Sequence, residues 1–396
     1  MPERASGPTT VFFLALSVFW TGCGGTSSHV CPAASNSTCC GASSSACPID
    51  AIPLLYASTT SNQILGFSIN SSGSLTAIAT TTGPANSERV AIDGNVLVFG
   101  DTSANSVDSF TVDLVTGAVT PIQGSPFSLG TLDGGPTGIL VGPYGYLYAT
   151  QPNGTIVGLN TSGEVGAFAS PLPNSPYPAG VAPSQMASAA QGNSGTFFLY
   201  AADPGDANGG ILAYSLDSSG SLTPIQGSPF PTLANSSPSF VLLAPYYSSP
   251  GTLGAQFLLV SLAEAAKVAA FAIDSSTGEL TQIPGSPFAV GNGPNTLVVD
   301  ASNHVFVMNA ADHTVSAFNL GSNGMLTAIG SPASVGTASG GMALYSSASA
   351  VELFVADTTA SAIWTVTVDP TTGGLTPSGQ PLTVASPPLQ LVFVGL

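Results

Sequence analysis

One hairpin phrase recurs seven times in this chain: SSGSLT (71–76), VTGAVT (115–120), TSGEVG (161–166), SSGSLT (218–223), STGELT (276–281), SNGMLT (322–327) and TTGGLT (371–376). A chain written in copies folds as copies, so the repeat unit limits the architecture before any single motif does. The Gly of each phrase stands where a tight hairpin needs positive φ, which Gly adopts without steric cost.

Each phrase is preceded by an alternating segment, such as GILAYSLD (210–217) or KVAAFAID (267–274). Period-two alternation rich in aromatic and β-branched residues predicts a half-buried strand. Ahead of that lies a more continuously apolar segment, such as FFLYAAD (197–203) or HVFVMNA (304–310), which fits a strand covered on both faces. Earlier still come innermost candidates: RVAIDG (89–94), TGILVG (137–142), SFVLLA (239–244), NTLVVD (295–300) and GMALYS (341–346). In the fourth unit the best candidate is PAGVAPSQ (178–185). Four strands per unit at a period of about 45 residues predict an all-β, seven-bladed propeller of four-stranded antiparallel blades. Helical solenoids are excluded by the period and by 46 Gly and 32 Pro.

The first unit lacks its innermost strand, and the last is followed by a spare one, PPLQLVFVGL (387–396). The two match if the C-terminal strand completes the first blade, closing the ring and leaving no unpaired inner edge. Extra residues in the fourth and fifth units, MASAAQGNSGT (186–196) and YYSSPGTLG (246–254), fall between first and second strands, on one face of the disc. A second phrase, GSPF, ends at Phe127, Phe230 and Phe288, with GSPA (330–333) and ASPL (169–172) as worn copies. It reads as the joint after each outer strand: Gly bends, Pro stops sheet pairing, and Phe packs between blades.

The propeller is expected over 52–396. The preceding residues read as an address. One basic residue, an apolar stretch from Val11 to Trp20 and small residues before Cys23 form a secretory signal over 1–22. The sequence WTGC resembles the bacterial lipobox, with Trp20 in place of the usual Leu. That resemblance implies a lipid on Cys23 and a bacterial cell-envelope location; plain secretion is the alternative. Residues 23–51 then form a Cys- and Ser-rich stalk. Cys31, Cys39, Cys40 and Cys47 make an even exported set, open to three disulfide pairings. A zinc knuckle is the rival, but the spacing lacks the paired C-x-x-C of tetrahedral sites.

Only 6% of the 396 residues are charged, and the formal charge is −17. Arg4, Arg89 and Lys267 are the basic residues. Nucleic acid is thereby excluded as a partner, because phosphate contacts need several Lys or Arg. Anionic membrane surfaces are disfavoured for the same reason, leaving the lipid as the membrane contact.

The stretch GNGPNTLVVDASNHVFVMNAADHTVSAFNLGSNGMLTAIGSP (291–332) resembles the lactonase-type seven-bladed propellers, the group of 6-phosphogluconolactonase. The resemblance covers nearly all of 52–396 and rests on repeat punctuation, which speaks to fold more than activity. It implies lactone hydrolysis, with Arg and His just after the "GP", facing the channel. This chain departs there: Thr137, Ser239, Asn295 and Leu389 follow the corresponding prolines, and only the second blade offers charge, Glu88 and Arg89. His304 and His313 fall elsewhere in the repeat.

Lactone hydrolysis needs a base or metal-bound hydroxide and a group to stabilise an oxyanion. Glu88 and Arg89 are the catalytic candidates, against an ion pair at the channel mouth or bonds from Arg89 to blade carbonyls. ADPGDANGG (202–210) offers Asp203, Asp206 and Asn208 for calcium or another divalent cation, although it lacks the full calcium-loop spacing. The rival role for these carboxylates is capping turn amides. No cofactor fingerprint appears. The leading expectation is a monomeric binding or scaffolding body for a glycan, peptide or protein; lactone hydrolysis is the alternative.

Overall fold

The computed structural model describes residues 52–84, 87–130, 134–161, 165–190, 197–249 and 251–395. The signal, the stalk, Cys23, Cys31, Cys39, Cys40 and Cys47 lie outside the described residues. The fold is a seven-bladed β-propeller of antiparallel blades. Inner strands run Val90–Asp93, Gly138–Val141, Met186–Ala190, Pro238–Ser249, Pro294–Val299 and Met342–Ser346 in blades 2 to 7. In blade 1 the inner strand is Pro388–Val394, paired antiparallel with Leu54–Thr59. The inner strands neighbour one another all the way round, the closing strand lying between those of blades 7 and 2.

The core is divided among the junctions. Seven hydrophobic clusters each draw on two adjacent blades, one cluster per junction among the described residues. The second strands supply most of this apolar surface, which is why they read as continuously apolar: Leu54–Thr59 is buried throughout. At the middle of these strands stand Tyr56, Val98, Tyr148, Tyr200, Leu259, Phe306 and Phe354, all fully buried. The three tyrosines reach across the junction and donate to the next blade's tip glycine: Tyr56 to Gly117 O at 2.7 Å, Tyr148 to Gly220 O at 2.9 Å, Tyr200 to Gly278 O at 2.8 Å. A buried phenol hydroxyl is thereby satisfied, as burial demands.

Three expectations are corrected. The inner strand of blade 4 is Met186–Ala190, not 178–185, so the first residues of the supposed insertion are the strand itself. Alternation of small residues, Met-Ala-Ser-Ala-Ala, carried too little apolar signal to mark it. In blade 5 the extra residues extend the inner hairpin, Pro238–Ser249 with Thr252–Leu262, and Asn303 of the next blade clasps it through Tyr247 N and O at 2.7 and 3.0 Å.

The GSPF phrase is the third correction. It does not end sheet pairing. The chain leaves the outer strand Val119–Pro121, turns, and pairs again with the third strand through Phe127–Ser128. The serine explains how: Ser125 Oγ accepts the Ser109 amide at 2.9 Å, where a strand carbonyl would otherwise have stood. Ser228 and Ser286 do the same for Ala213 and Ala270, at 2.9 and 2.8 Å. In blade 3 the counterpart is Asn174-Ser175-Pro176-Tyr177, with Ser175 accepting from Gly158 at 2.9 Å; ASPL at 169–172 belongs to the outer strand and the residue after it. In all four the Ser–Pro peptide is cis. GSPA in blade 6 runs instead inside one continuous strand, Leu326–Ser334.

Candidate functional site

The inner strands all begin on one face of the disc, where the chain crosses from each outer strand to the next blade. The residues there are the ones that would face a ligand at the channel mouth. Arg89 opens the inner strand of blade 2. Its Nε donates to Thr137 O of blade 3, and its Nη1 donates to Glu88 O at 3.1 Å and lies 3.5 Å from Glu88 Oε2. The Arg89 side chain is 25% exposed and that of Glu88 59%. Burial lowers the Arg89 pKa, and the Glu88 charge acts the other way.

Arg89 is one member of a belt. Ser58 donates to Ser87 O at 2.5 Å, Thr137 to Pro183 O at 2.5 Å, Ser239 to Pro294 O at 3.3 Å, Asn295 to Ser339 O at 3.0 Å and Thr358 to Pro388 O at 2.7 Å. Each bond runs from one blade to the backbone at the start of the next inner strand. With Arg89, six of the seven junctions carry such a bond among the described residues. Sequence reasoning singled out Arg89 by its charge and missed the role of Ser58, Thr137, Ser239, Asn295 and Thr358. In a chain rich in Ser, Thr and Asn, no local signal marks them.

The loops between second and third strands share this face, as expected, and their acids serve the crossings. Asp203 is 1% exposed and accepts from Val181 N and Ala182 N, both at 2.8 Å. Asp206 accepts from Asn208 N at 2.8 Å. The structure therefore gathers Asp203, Asp206 and Asn208 into one turn and engages both carboxylates with backbone amides. Asp312 accepts from Asn292 N at 2.7 Å and Nδ2 at 2.9 Å, bonds that hold its carboxyl below the usual range. Asp357 binds Thr337, Ala360 and Trp364. Burial would raise its pKa, but those bonds outweigh it and lower the value. Among the described residues no group of three or more His, Cys, Asp or Glu is arranged to hold a metal ion.

The histidines lie apart. His313 Nδ1 meets Ala338 O at 2.9 Å, so that nitrogen carries the proton. His304 is 3% exposed on the opposite, hairpin-tip face, with Nδ1 2.7 Å from Asp300 Oδ2.

No protein-family model matches this chain, and no curated protein does. Solved structures do. The periplasmic gluconolactonase of Pseudomonas aeruginosa superposes with a TM-score of 0.69 at 18% identity, covering 87% of this chain and 99% of that one. A protein named "putative 6-phosphogluconolactonase" from Bacteroides fragilis gives 0.68 at 17% identity, with the same coverage. Its namesake from Bacteroides uniformis gives 0.67 at 17%, covering 87% and 100%. This chain shares their fold. At such identity the likeness carries architecture and no residue roles.

Proposed function

We propose that the chain is an exported, lipid-anchored propeller that binds a ligand at the bacterial cell envelope and does not hydrolyse one. The observation that carries this reading is the state of the positions after each "GP". Four of them hold Arg89, Thr137, Ser239 and Asn295, and each of these donates to a carbonyl of the next blade, while Leu389 in the closing strand has no side-chain donor. Oxyanion stabilisation calls for donors aimed at the reacting group, and these are aimed at the scaffold. The partner is a glycan, peptide or protein that meets the rigid disc as a monomer. Nucleic acid is disfavoured by the charge of −17.

The second reading is lactone hydrolysis, favoured by the names of the solved relatives. A panel of sugar lactones assayed with wild-type and Arg89→Ala protein separates the two. The binding reading expects no turnover above background in either. Turnover that disappears with Arg89 overturns it. Lipid attachment is read by palmitate labelling, expected in the wild type and lost in Cys23→Ser.

A further inference from the structure

The repeat makes each blade junction a control for the other six. On the hairpin-tip face, each tip glycine packs on two residues of the preceding blade, one from its second strand and one from its outer strand. The pairs are Leu54 and Ile78 beneath Gly117, Val96 and Ile122 beneath Gly166 (the counterpart of Gly117 by the Thr161–Phe168 pairing), and Tyr146 and Leu172 beneath Gly220. They continue as Phe198 and Ile225 beneath Gly278, Phe257 and Ile283 beneath Gly324, and His304 and Ile329 beneath Gly373. In all six the outer-strand residue is Ile or Leu, an apolar plug.

At the junction of blades 7 and 1 the second-strand position holds a carboxylate and the Ile or Leu plug is lost. The three atoms nearest a Cβ at Gly73 all belong to Glu352, and the plug position holds Ser378. The equivalence is fixed by the backbone: Ser378 N donates to Thr365 O at 2.8 Å, as Ile122 N donates to Ser109 O and Ile225 N to Ala213 O, both at 2.9 Å. Loss of the plug leaves a cleft of about 420 Å³, within the roughly 300–1,000 Å³ of small-ligand sites. Its polar lining is Ser72, Ser74, Thr365, Thr367, Ser378 and Gln380, with Glu352 in its wall.

Glu352 is 5% exposed. Its Oε1 accepts from Thr367 at 3.2 Å, while its Oε2 is buried with no hydrogen-bond partner. A buried carboxyl oxygen without a donor is costly and calls for a partner, which a bound ligand, an ion or a water can supply. Burial also pushes this carboxyl above the usual range, with the Thr367 hydroxyl working against the shift.

We infer that the cleft between blades 7 and 1 is a saccharide-binding site, in which the Glu352 carboxyl and the surrounding hydroxyls bind a neutral polyhydroxylated ring. Hydroxyls and an amide both give and accept hydrogen bonds, and so do sugar hydroxyls. An ammonium ligand would leave the lining's donors unanswered. Pro381 and Leu382 at the rim offer apolar surface for the C–H face of a ring. The inference names a ligand class for the binding reading above, but its site is the rim of the disc and not the channel.

The test is saturation-transfer NMR and calorimetric titration of the full chain with glucose, galactose, mannose and N-acetylglucosamine, and with methylammonium as the cationic comparison. At least one sugar is expected to bind. The double variant Glu352→Leu, Ser378→Ile restores the apolar pattern of the other junctions and should lose tenfold or more in affinity while melting no lower than wild type. Ser378→Ile alone, which fills the cleft and spares the carboxyl, should show the same loss. Binding of none of the four sugars, unchanged binding in both variants, or binding of methylammonium alone overturns the proposal. The outcome is independent of the lactone assay, which reads Arg89: a failed cleft leaves the channel reading standing, and the converse.

Discussion

The junction of blades 4 and 5 and the junction of blades 7 and 1 have the same backbone and an apolar cluster each, but opposite fillings beneath the tip glycine. In the first, Gly278 rests on Phe198 and Ile225, and Tyr200 donates to Gly278 O at 2.8 Å. In the second, Gly73 rests on Glu352, Phe354 replaces the tyrosine, and Ser378 replaces the isoleucine. The tip glycines have nearly equal φ, +75° and +78°. Turn geometry and interblade filling are thus separable in this fold. The backbone is set by the tip and by the edge-strand bonds, and the filling beneath one tip can turn polar while the seven apolar clusters hold the ring.

The comparison breaks most completely if the ring is opened. The closing strand Pro388–Val394 pairs with Leu54–Thr59 and contributes Leu391 to the blade 7–1 cluster and Val394 to the blade 1–2 cluster. Deleting 387–396 removes it from both junctions and leaves blades 4 and 5 untouched. The expected result is loss of the sharp thermal transition by circular dichroism. A truncated chain that melts as sharply and as late as the parent would mean that closure does not hold the disc together.

Next in size is an exchange of plugs. Ile225 is 8% exposed. Ile225→Ser should cost about 2–4 kcal/mol, the range for emptying a buried aliphatic site. Ser378→Ile should do the reverse on a smaller scale, stabilising by about 0.5–2 kcal/mol as cavity filling does. Urea midpoints measure both, and equal effects of the same sign would erase the contrast.

The repeat, its strand order and the closing strand were legible because hairpin glycines and period-two alternation are local, and a missing strand matched a spare one. The site was legible only where charge was rare. Arg89 stood out, yet its bond to Thr137 O depends on blade spacing that no sequence pattern states. The serine of GSPF was hidden because its acceptor role is defined by the neighbouring strand's amide. Ser378 was visible in principle: TPS in the seventh unit stands where the others read TAI, TPI, SPL, TPI, TQI and TAI. The significance of that change needs the tip of blade 1, some 300 residues away in sequence and adjacent only once the ring closes.

A methyl added at each tip sharpens the same contrast. At Gly278 a Cβ would stand 2.5 Å from Phe198 Cδ1 and 2.6 Å from Ile225 Cδ1, both inside a filled cluster. At Gly73 it would stand 2.4 Å from Glu352 Cγ, whose side chain lines the cleft and not a filled cluster. Both substitutions carry the left-handed cost of about 1–2 kcal/mol. Gly278→Ala adds overpacking of about 1–3 kcal/mol, so it should exceed Gly73→Ala by about 1 kcal/mol or more. Equal losses would mean the cleft is not free to accept the displaced carboxyl.

The smallest effect is the most specific, because it isolates the ionisation of one group. Glu352 has a folded pKa raised by burial above its unfolded value. A carboxyl in that state binds its proton more tightly in the folded protein, so it lowers stability as pH rises past the ordinary glutamate value and through the raised one. Glu352→Gln keeps the shape and removes the charge. Its stability relative to wild type should be near zero at about pH 4 and rise by about 1 kcal/mol toward pH 7, the order expected for an ill-served buried polar group. The same measurement on Asp93→Asn gives the scale, since burial alone pushes Asp93 up to about 6. A Glu352→Gln difference that stays flat with pH, while Asp93→Asn shows its rise, would place the Glu352 carboxyl in water and remove the physical reason for a ligand to seek it.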